Sequence, residues 1–404
     1  MRLRTLPWIV LAVLGVWAVE AGGQEVHLNS SLSVQEEFND NLFFETKDRA
    51  TDFITTISAG SELVERTERL DLRLAGRTDL LLYARNTDLD ALNHFYNGSL
   101  RYRLSPRVNV SVDAGYLRDN SPDRDVATTG LLLNAATRQR FTGSISGDYA
   151  LSEKLSAGGS YSFEQELFSD PEISDNQSHS LGFGLGRDLA DWVPNTVGRM
   201  NLGYARYMAE DSLVDSFSWT LGAGHDFSER MRLSADAGVR YTISRFEVQG
   251  VEFVPPPVFF RIVSEQREQS GLGGVLKLAL SYRWERTNAR LGFQHDLMTA
   301  SGRDGPTERT GLTFDLEHRL TEKLWGKLNA SFFLNRAEAE EFGTEQIDEQ
   351  AFTLRPAVRW EISDKFSLEA SYTYSRVHDL VDATATSRNL FSMRLTFGHD
   401  LLKR

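Results

Sequence analysis

Charged side chains recur at alternate positions of half-apolar segments, and these are the residues in the chain best placed to do chemistry. Asp71, Arg73, Arg77 and Asp79 interleave with Leu70, Leu72, Leu74 and Leu80; Asp113 sits between Val112 and Ala114. Asp236 and Arg240 interleave with Ala235, Ala237, Val239 and Tyr241, and Arg394 lies between Met393 and Leu395. Asp148, Glu164 and Glu369 occupy equivalent positions. Successive side chains of a strand point to opposite faces, so each segment carries its charges on one side and its apolar residues on the other. Ionisable groups face lipid only at large cost. Charges of both signs opposite an apolar face therefore imply an interior that is hydrated or internally paired. The chemistry expected of such a wall is selection of a passing solute by charge. A salt-bridge network that only fills the interior fits the same pattern.

Other chemistries find little support. The eight histidines (27, 94, 179, 225, 295, 318, 378 and 399) show no metal-ligand spacing, and no Gly-x-Ser-x-Gly nucleophile elbow occurs. Gly182, Gly184 and Gly186 alternate along one segment with no crossover helix or acidic partner after them, so they are no dinucleotide fingerprint. Their expected role is to let another element approach or to widen the interior. The chain has no cysteine, which removes thiol catalysis and disulfides, and its net charge of -13 argues against nucleic acid. No enzyme activity, metal or cofactor is expected.

The elements that must position the charges are long strands. Alternation runs through Leu233–Ser244, Val108–Tyr116, Lys327–Leu334, Phe366–Ser375 and Phe391–Gly398. At about 10 to 14 residues these exceed the soluble norm of roughly 5–6 and suit a tilted membrane crossing of roughly 9–11. Tight turns share one design, an apolar residue, three polar ones and an apolar residue: Leu104–Val108, Leu151–Leu155, Phe227–Met231, Leu320–Leu324 and Ile362–Phe366. They recur about every forty residues, enough for two long strands but not for a four-stranded propeller blade. Longer polar connections lie near 39–51, 118–134, 169–176, 208–214, 247–264, 300–308, 337–346 and 377–387.

The expected fold is all-β: a transmembrane antiparallel up-and-down β-barrel of about 18 strands, with 16 the nearest miscount, short periplasmic turns and long extracellular loops. A mean hydropathy of -0.35 agrees, because only every second residue need face lipid. Pro356 falls within a strand, where a bulge or a broken ladder bond is expected. Trp192, Trp284, Trp325 and Trp360 lie at or near short turns and predict an interfacial girdle there, with Trp219 nearer mid-strand. Loop 247–264 carries Val254-Pro-Pro-Pro-Val-Phe-Phe260, stiff and apolar. It is expected outside the barrel, the rival placement being an inward constriction. Residues 1–23, with Arg2, Arg4 and an apolar run from Trp8 to Ala18, read as a cleaved signal peptide and 24–404 as the barrel.

Near the mature start stands Val34-Gln-Glu-Glu-Phe-Asn-Asp-Asn-Leu-Phe-Phe44, followed by Asp52–Gly60. The strand ending in Asp40, Asn41, Leu42 and Phe43 resembles the opening hairpin of an outer-membrane β-barrel porin family associated with exopolysaccharide gene clusters. The hairpins over the rest of the chain are similar to that family too. The resemblance implies an outer-membrane protein associated with polysaccharide production or export, and no catalytic residues. The chain departs from many outer-membrane barrels in ending Leu401-Leu-Lys-Arg404 rather than on an aromatic residue, Phe397 being the nearest outward one. Expected partners are outer-membrane lipid and lipopolysaccharide, the barrel-assembly machinery and polysaccharide-export components. The leading expectation is a passive conduit; the alternative is a closed structural or adhesive barrel acting through its loops.

Overall fold

In the computed structural model, the described residues are 25–121, 125–131, 136–252, 261–339, 341–343 and 346–403. The expected signal segment, 1–23, and the Val254–Phe260 stretch lie outside the described residues. Alternation becomes strand throughout. In order these are β1 (Glu25–Asn39), β2 (Asp52–Arg66), β3 (Leu70–Tyr83), β4 (Ala91–Ser105), β5 (Val108–Asp119) and β6 (Arg138–Ala150). There follow β7 (Leu155–Phe168), β8 (Asn176–Asp188), β9 (Thr196–Met208), β10 (Ser212–Ser228), β11 (Met231–Glu252) and β12 (Arg261–Arg283). The last six are β13 (Thr287–Thr299), β14 (Pro306–Arg319), β15 (Leu324–Ala337), β16 (Ile347–Glu361), β17 (Phe366–Asp379) and β18 (Thr384–Lys403).

Each strand pairs antiparallel with its sequence neighbours, and β18 returns to β1, with Phe38 opposite Phe391 and Leu32 opposite Phe397. The result is a closed up-and-down barrel of 18 strands. Closure satisfies the backbone hydrogen bonds between strands, as a lipid-facing sheet requires. The two faces differ sharply. On β11, Val239 and Tyr241 are 55% and 43% exposed, whereas Arg240 between them is 2% exposed. Outward-facing Leu32, Val34, Leu80, Leu181, Leu202, Leu221, Leu312 and Leu395 continue the apolar band around the barrel. So wide an apolar surface belongs in a bilayer rather than in water.

Aromatic residues mark both borders of that band. At the short-turn end Trp192, Trp284 and Trp360 are exposed, with Tyr102, Tyr149, Phe227 and Phe366. Trp325 departs from expectation: it pairs with Arg319 and Arg359 on the inner face and lies 5.6 Å from the Arg319 guanidinium. Towards the long-loop end the rings meet across strands, as Phe38–Phe53, Tyr116–Phe141, Tyr204–Phe217 and Tyr372–Phe391.

Three local features refine the strand pattern. Leu328 still pairs with Pro356, but on the β17 side the register skips Arg355 and Pro356 between Leu354 and Ala357, the broken ladder that a missing N–H dictates. β11 and β12 run 22 and 23 residues, longer than expected, and β12 pairs with β13 only from Leu276 downward. Above that point β12 leaves β13 while β11 stays paired with β10 as far as Phe246, and only beyond Phe246 and Arg267 do β11 and β12 run on as a two-stranded ribbon. β18 runs through Lys403 with a register shift against Leu28 and Asn29, so the residues after Phe397 belong to the last strand.

A connection passed over in the sequence is 84–90, which forms a single 3₁₀ turn, Thr87–Leu89. Buried Asp52 fixes it, accepting from the backbone N–H groups of Arg85 and Asn86 and from the Asn86 side-chain amide at 2.8 Å.

Candidate functional site: a lumen crossed by its own loops

The inner wall is set by strand parity, and the charged residues singled out in the sequence all fall on it. Most have partners there. Arg66 and Asp71 approach to 3.9 Å, Arg73 and Glu62 to 3.4 Å, and Arg77 and Asp79 to 3.0 Å. Asp236 is held by Arg199 at 2.8 Å. Arg240 reaches Asp296 at 3.5 Å and also pairs with Glu308, while Lys277 meets Asp296 at 3.1 Å. Glu369 pairs with Lys327 and Arg355, and Arg394 donates to Gln35 at 2.7 Å. Asp113 differs in kind: its contact is a hydroxyl, Ser144, at 3.3 Å.

The largest departure from the sequence reading is the connection between β5 and β6. Its described residues turn into the barrel, where Val126 and Leu131 are almost fully buried. Arg138, at the start of β6 and 2% exposed, anchors the root. Its guanidinium grips both oxygens of Asp119 at 3.1 and 2.9 Å, Asp125 at 2.7 Å, Glu166 at 3.2 Å and the Ser301 hydroxyl at 3.1 Å. Arg140 shares Glu166. Asp125 in turn organises the segment, its carbonyl accepting from the amides of Thr128, Thr129 and Gly130.

The tip docks on the far wall. Asn335 of β15 donates to the Thr129 carbonyl at 2.9 Å and accepts from Arg309 at 2.8 Å. Gly130 has φ +77, and a Cβ there would meet the Phe333 Cβ at 2.5 Å and the Ala351 Cβ at 3.2 Å. Only glycine permits both that backbone and that approach. From β5–β6 to β15 is about halfway round an 18-strand ring, so the segment spans the lumen.

Two further loops close in beside it. At the top of β13 and β14 the hairpin leans inward, so that Leu297 joins Val214 on the inner face of β10 in one cluster with Ala337, Phe342 and Ile347. Tyr207 donates to the Leu297 carbonyl at 3.0 Å, Asn176 to the Ala300 carbonyl at 3.2 Å and Ser212 to the Asp304 carbonyl at 3.2 Å. The loop between β1 and β2 also enters, with Leu42 against Ile54 and Tyr83 and Phe44 against Val126, Ala351 and Val377.

Space remains on either side of these elements. One pocket of ≈ 530 Å³ runs along β4–β9, lined by Asn97, Ser99, Asp113, Thr142, Ser144 and Glu164 and roofed by Met298 and Thr299. Another of ≈ 370 Å³ lies along β11–β15, with Asp236, Lys277, Gln294 and Thr313 below Thr128 and Phe333. The alternating glycines Gly182, Gly184 and Gly186 stand on β8 between β7 and β9. A Cβ on Gly182 or Gly186 would meet the Ser160 or Ser156 hydroxyl, side chains of the neighbouring strand rather than of any inserted element.

The wall is legible in the sequence, but the constriction is not. Loop 247–264 is the one for which the sequence offers an inward placement, and its central part, 253–260, lies outside the described residues. The signals for 118–134 were a buried-type arginine, Arg138, just after the loop and an apolar run within it, and neither is distinctive without the fold. Among the described residues no group of three or more His, Cys, Asp or Glu side chains could hold a metal ion. His179, towards the outer end of the outward face, is engaged by Tyr161 and Gln177.

No family model matches the sequence, and no curated protein matches it. Solved structures do share the architecture. The Escherichia coli K12 ferric-catecholate import receptor Fiu aligns at 7% identity with a TM-score of 0.48, covering 92% of this chain and 81% of its own. OccK2 (OpdF) of Pseudomonas aeruginosa aligns at 8% identity and a TM-score of 0.46, over 94% of this chain and all of that one. The copper transporter OprC aligns at 11% identity and a TM-score of 0.44, over 91% of this chain, which spans 65% of that protein's length. At these scores the likenesses carry no functional information, and the barrel's task is to be read from its own interior.

Proposed function

We propose that this chain is an outer-membrane channel, a passive conduit for hydrophilic solutes whose outer mouth is narrowed by its own loops. The observation that carries this reading is the hydroxyl- and carboxylate-lined pocket beneath the inward-leaning β13–β14 hairpin, where the wall stays unfilled. A barrel needed only as a scaffold gains nothing from a wet wall of that size. The apolar outer band and its aromatic borders support placement in the outer membrane of a Gram-negative cell, with the long loops outside. Lipopolysaccharide and the barrel-assembly machinery are the partners this location implies. Association with exopolysaccharide export rests on the resemblance of the opening hairpin, and polysaccharide-export components are the partners it adds.

Planar-bilayer recording of the purified, folded barrel tests the channel. Discrete conductance steps are expected; a barrel that shifts on heating as a folded one should, yet conducts at no voltage, refutes it. The second reading, a closed barrel acting through its loops, is favoured by the paired inner charges and the segment lodged at Asn335. It predicts that silent result.

A further inference from the structure

The Asp-Asn-Leu-Phe motif has a structural answer that leads to function. Asp40 accepts from both the backbone N–H and the side-chain amide of Asn389, each at 2.6 Å, tying the turn to β18. Asn41 is fully buried; its side chain donates to the carbonyls of Glu45 at 2.9 Å and Ser387 at 3.1 Å, and accepts from the Glu45 N–H at 2.9 Å. Leu42 anchors in the wall against Ile54 and Tyr83, with Phe43 packed alongside.

All of this fixes the residue that follows. Phe44 has φ +55, a left-handed conformation that a residue bearing a Cβ keeps only when its surroundings impose it. Its ring is 3% exposed, lies 4.7 Å below the Arg388 guanidinium, and packs on Ala351, Val377 and Val126. Val126 belongs to the lumen-crossing segment. That segment is held by polar contacts at its root, through Arg138, and at its tip, through Asn335. Between them Val126 packs in the apolar cluster that Phe44 forms with Ala351 and Val377.

We infer that Phe44 is a positioning residue for the constriction: the motif aims its ring into the barrel to clamp residues 125–131 across the lumen. The inference rests on the channel reading for its consequence, but not for its geometry. In Phe44→Ala, amide exchange at Thr128, Thr129 and Gly130 is expected to rise at least tenfold. Phe44→Leu, which keeps an apolar side chain, is expected to restore most of the protection. In bilayers Phe44→Ala should conduct more and flicker. Wild-type exchange in Phe44→Ala overturns the inference. A wild-type barrel that never conducts sinks the channel reading alone, because the exchange measurement still decides the clamp.

Discussion

Replacing Arg138 with methionine is the sharpest perturbation of the lumen. Methionine matches much of the stem but removes the guanidinium that bridges Asp119, Asp125 and Glu166 at 2.7–3.2 Å. All three carboxylates are buried, so the substitution strands negative charge rather than merely losing contacts. Breaking a buried pair by removing one partner costs about 3–5 kcal/mol. Arg140 stays bonded to Glu166 and near Asp125, which argues for the lower end, about 3 kcal/mol. The strain can be relieved locally by letting Asp125 swing into water with the segment it organises. At roughly 1.4 kcal/mol per decade, 3 kcal/mol moves that opening equilibrium by about two orders of magnitude. Amide exchange at Thr128, Thr129 and Gly130 should accelerate by that factor while amides of β15 and β16 do not change. Single-channel conductance should rise in parallel. Arg138→Lys keeps the charge but loses the forked grip on Asp119 and should fall between the two. A folded Arg138→Met barrel with wild-type exchange at all three amides would refute the latch.

Other expectations follow from the same geometry. Asp113 and Glu164 line the larger pocket with hydroxyl neighbours, so Asp113→Asn should weaken a preference for K⁺ over Cl⁻. A unit charge about 7 Å from the ion in water is worth about 0.6 kcal/mol, favourable for K⁺ and unfavourable for Cl⁻, or roughly eightfold in their permeability ratio; a reversal potential that shows anion preference in the wild type would count against it. Gly130→Ala should loosen the tip, because φ +77 and the Phe333 contact both exclude a Cβ, at a cost of about 1–3 kcal/mol; exchange at Gly130 itself and at Leu131 reads it. Burial raises the Asp52 carboxyl, but hydrogen bonds from the Asn86 side chain and from the amides of Asn86, Phe53 and Arg85 outweigh it, holding the group below its ordinary value of 3.8. A depressed value contributes stability that is present above the unfolded value and lost as pH falls through the folded one. Protection of the Arg85 and Asn86 amides should therefore persist to pH 4 and collapse only in stronger acid; loss between pH 6 and 5 would contradict this.

Much of this architecture was legible in the chain. Alternation such as Leu233 to Ser244 fixes which face each side chain takes, because the period of a strand is two whatever surrounds it. The number of alternating segments and the shared turn design set the strand count, and a missing N–H made the break at Pro356 unavoidable. Charge on the inner face followed too, since lipid excludes it. Tertiary structure decided the rest. Whether Arg138 is a surface charge or the root of a latch depends on Asp125 and Ser301, separated from it by 13 and 163 residues. Trp325 shares the short-turn location of Trp360 and yet faces inward, because the strand's register rather than the residue's chemistry selects the side. Phe44 meets Val126 only because closure of the barrel brings β1, β16 and β17 to one rim. Local sequence carries the period of a strand, but which loop crosses a ring is set by contacts between residues far apart along the chain, and no local pattern encodes those.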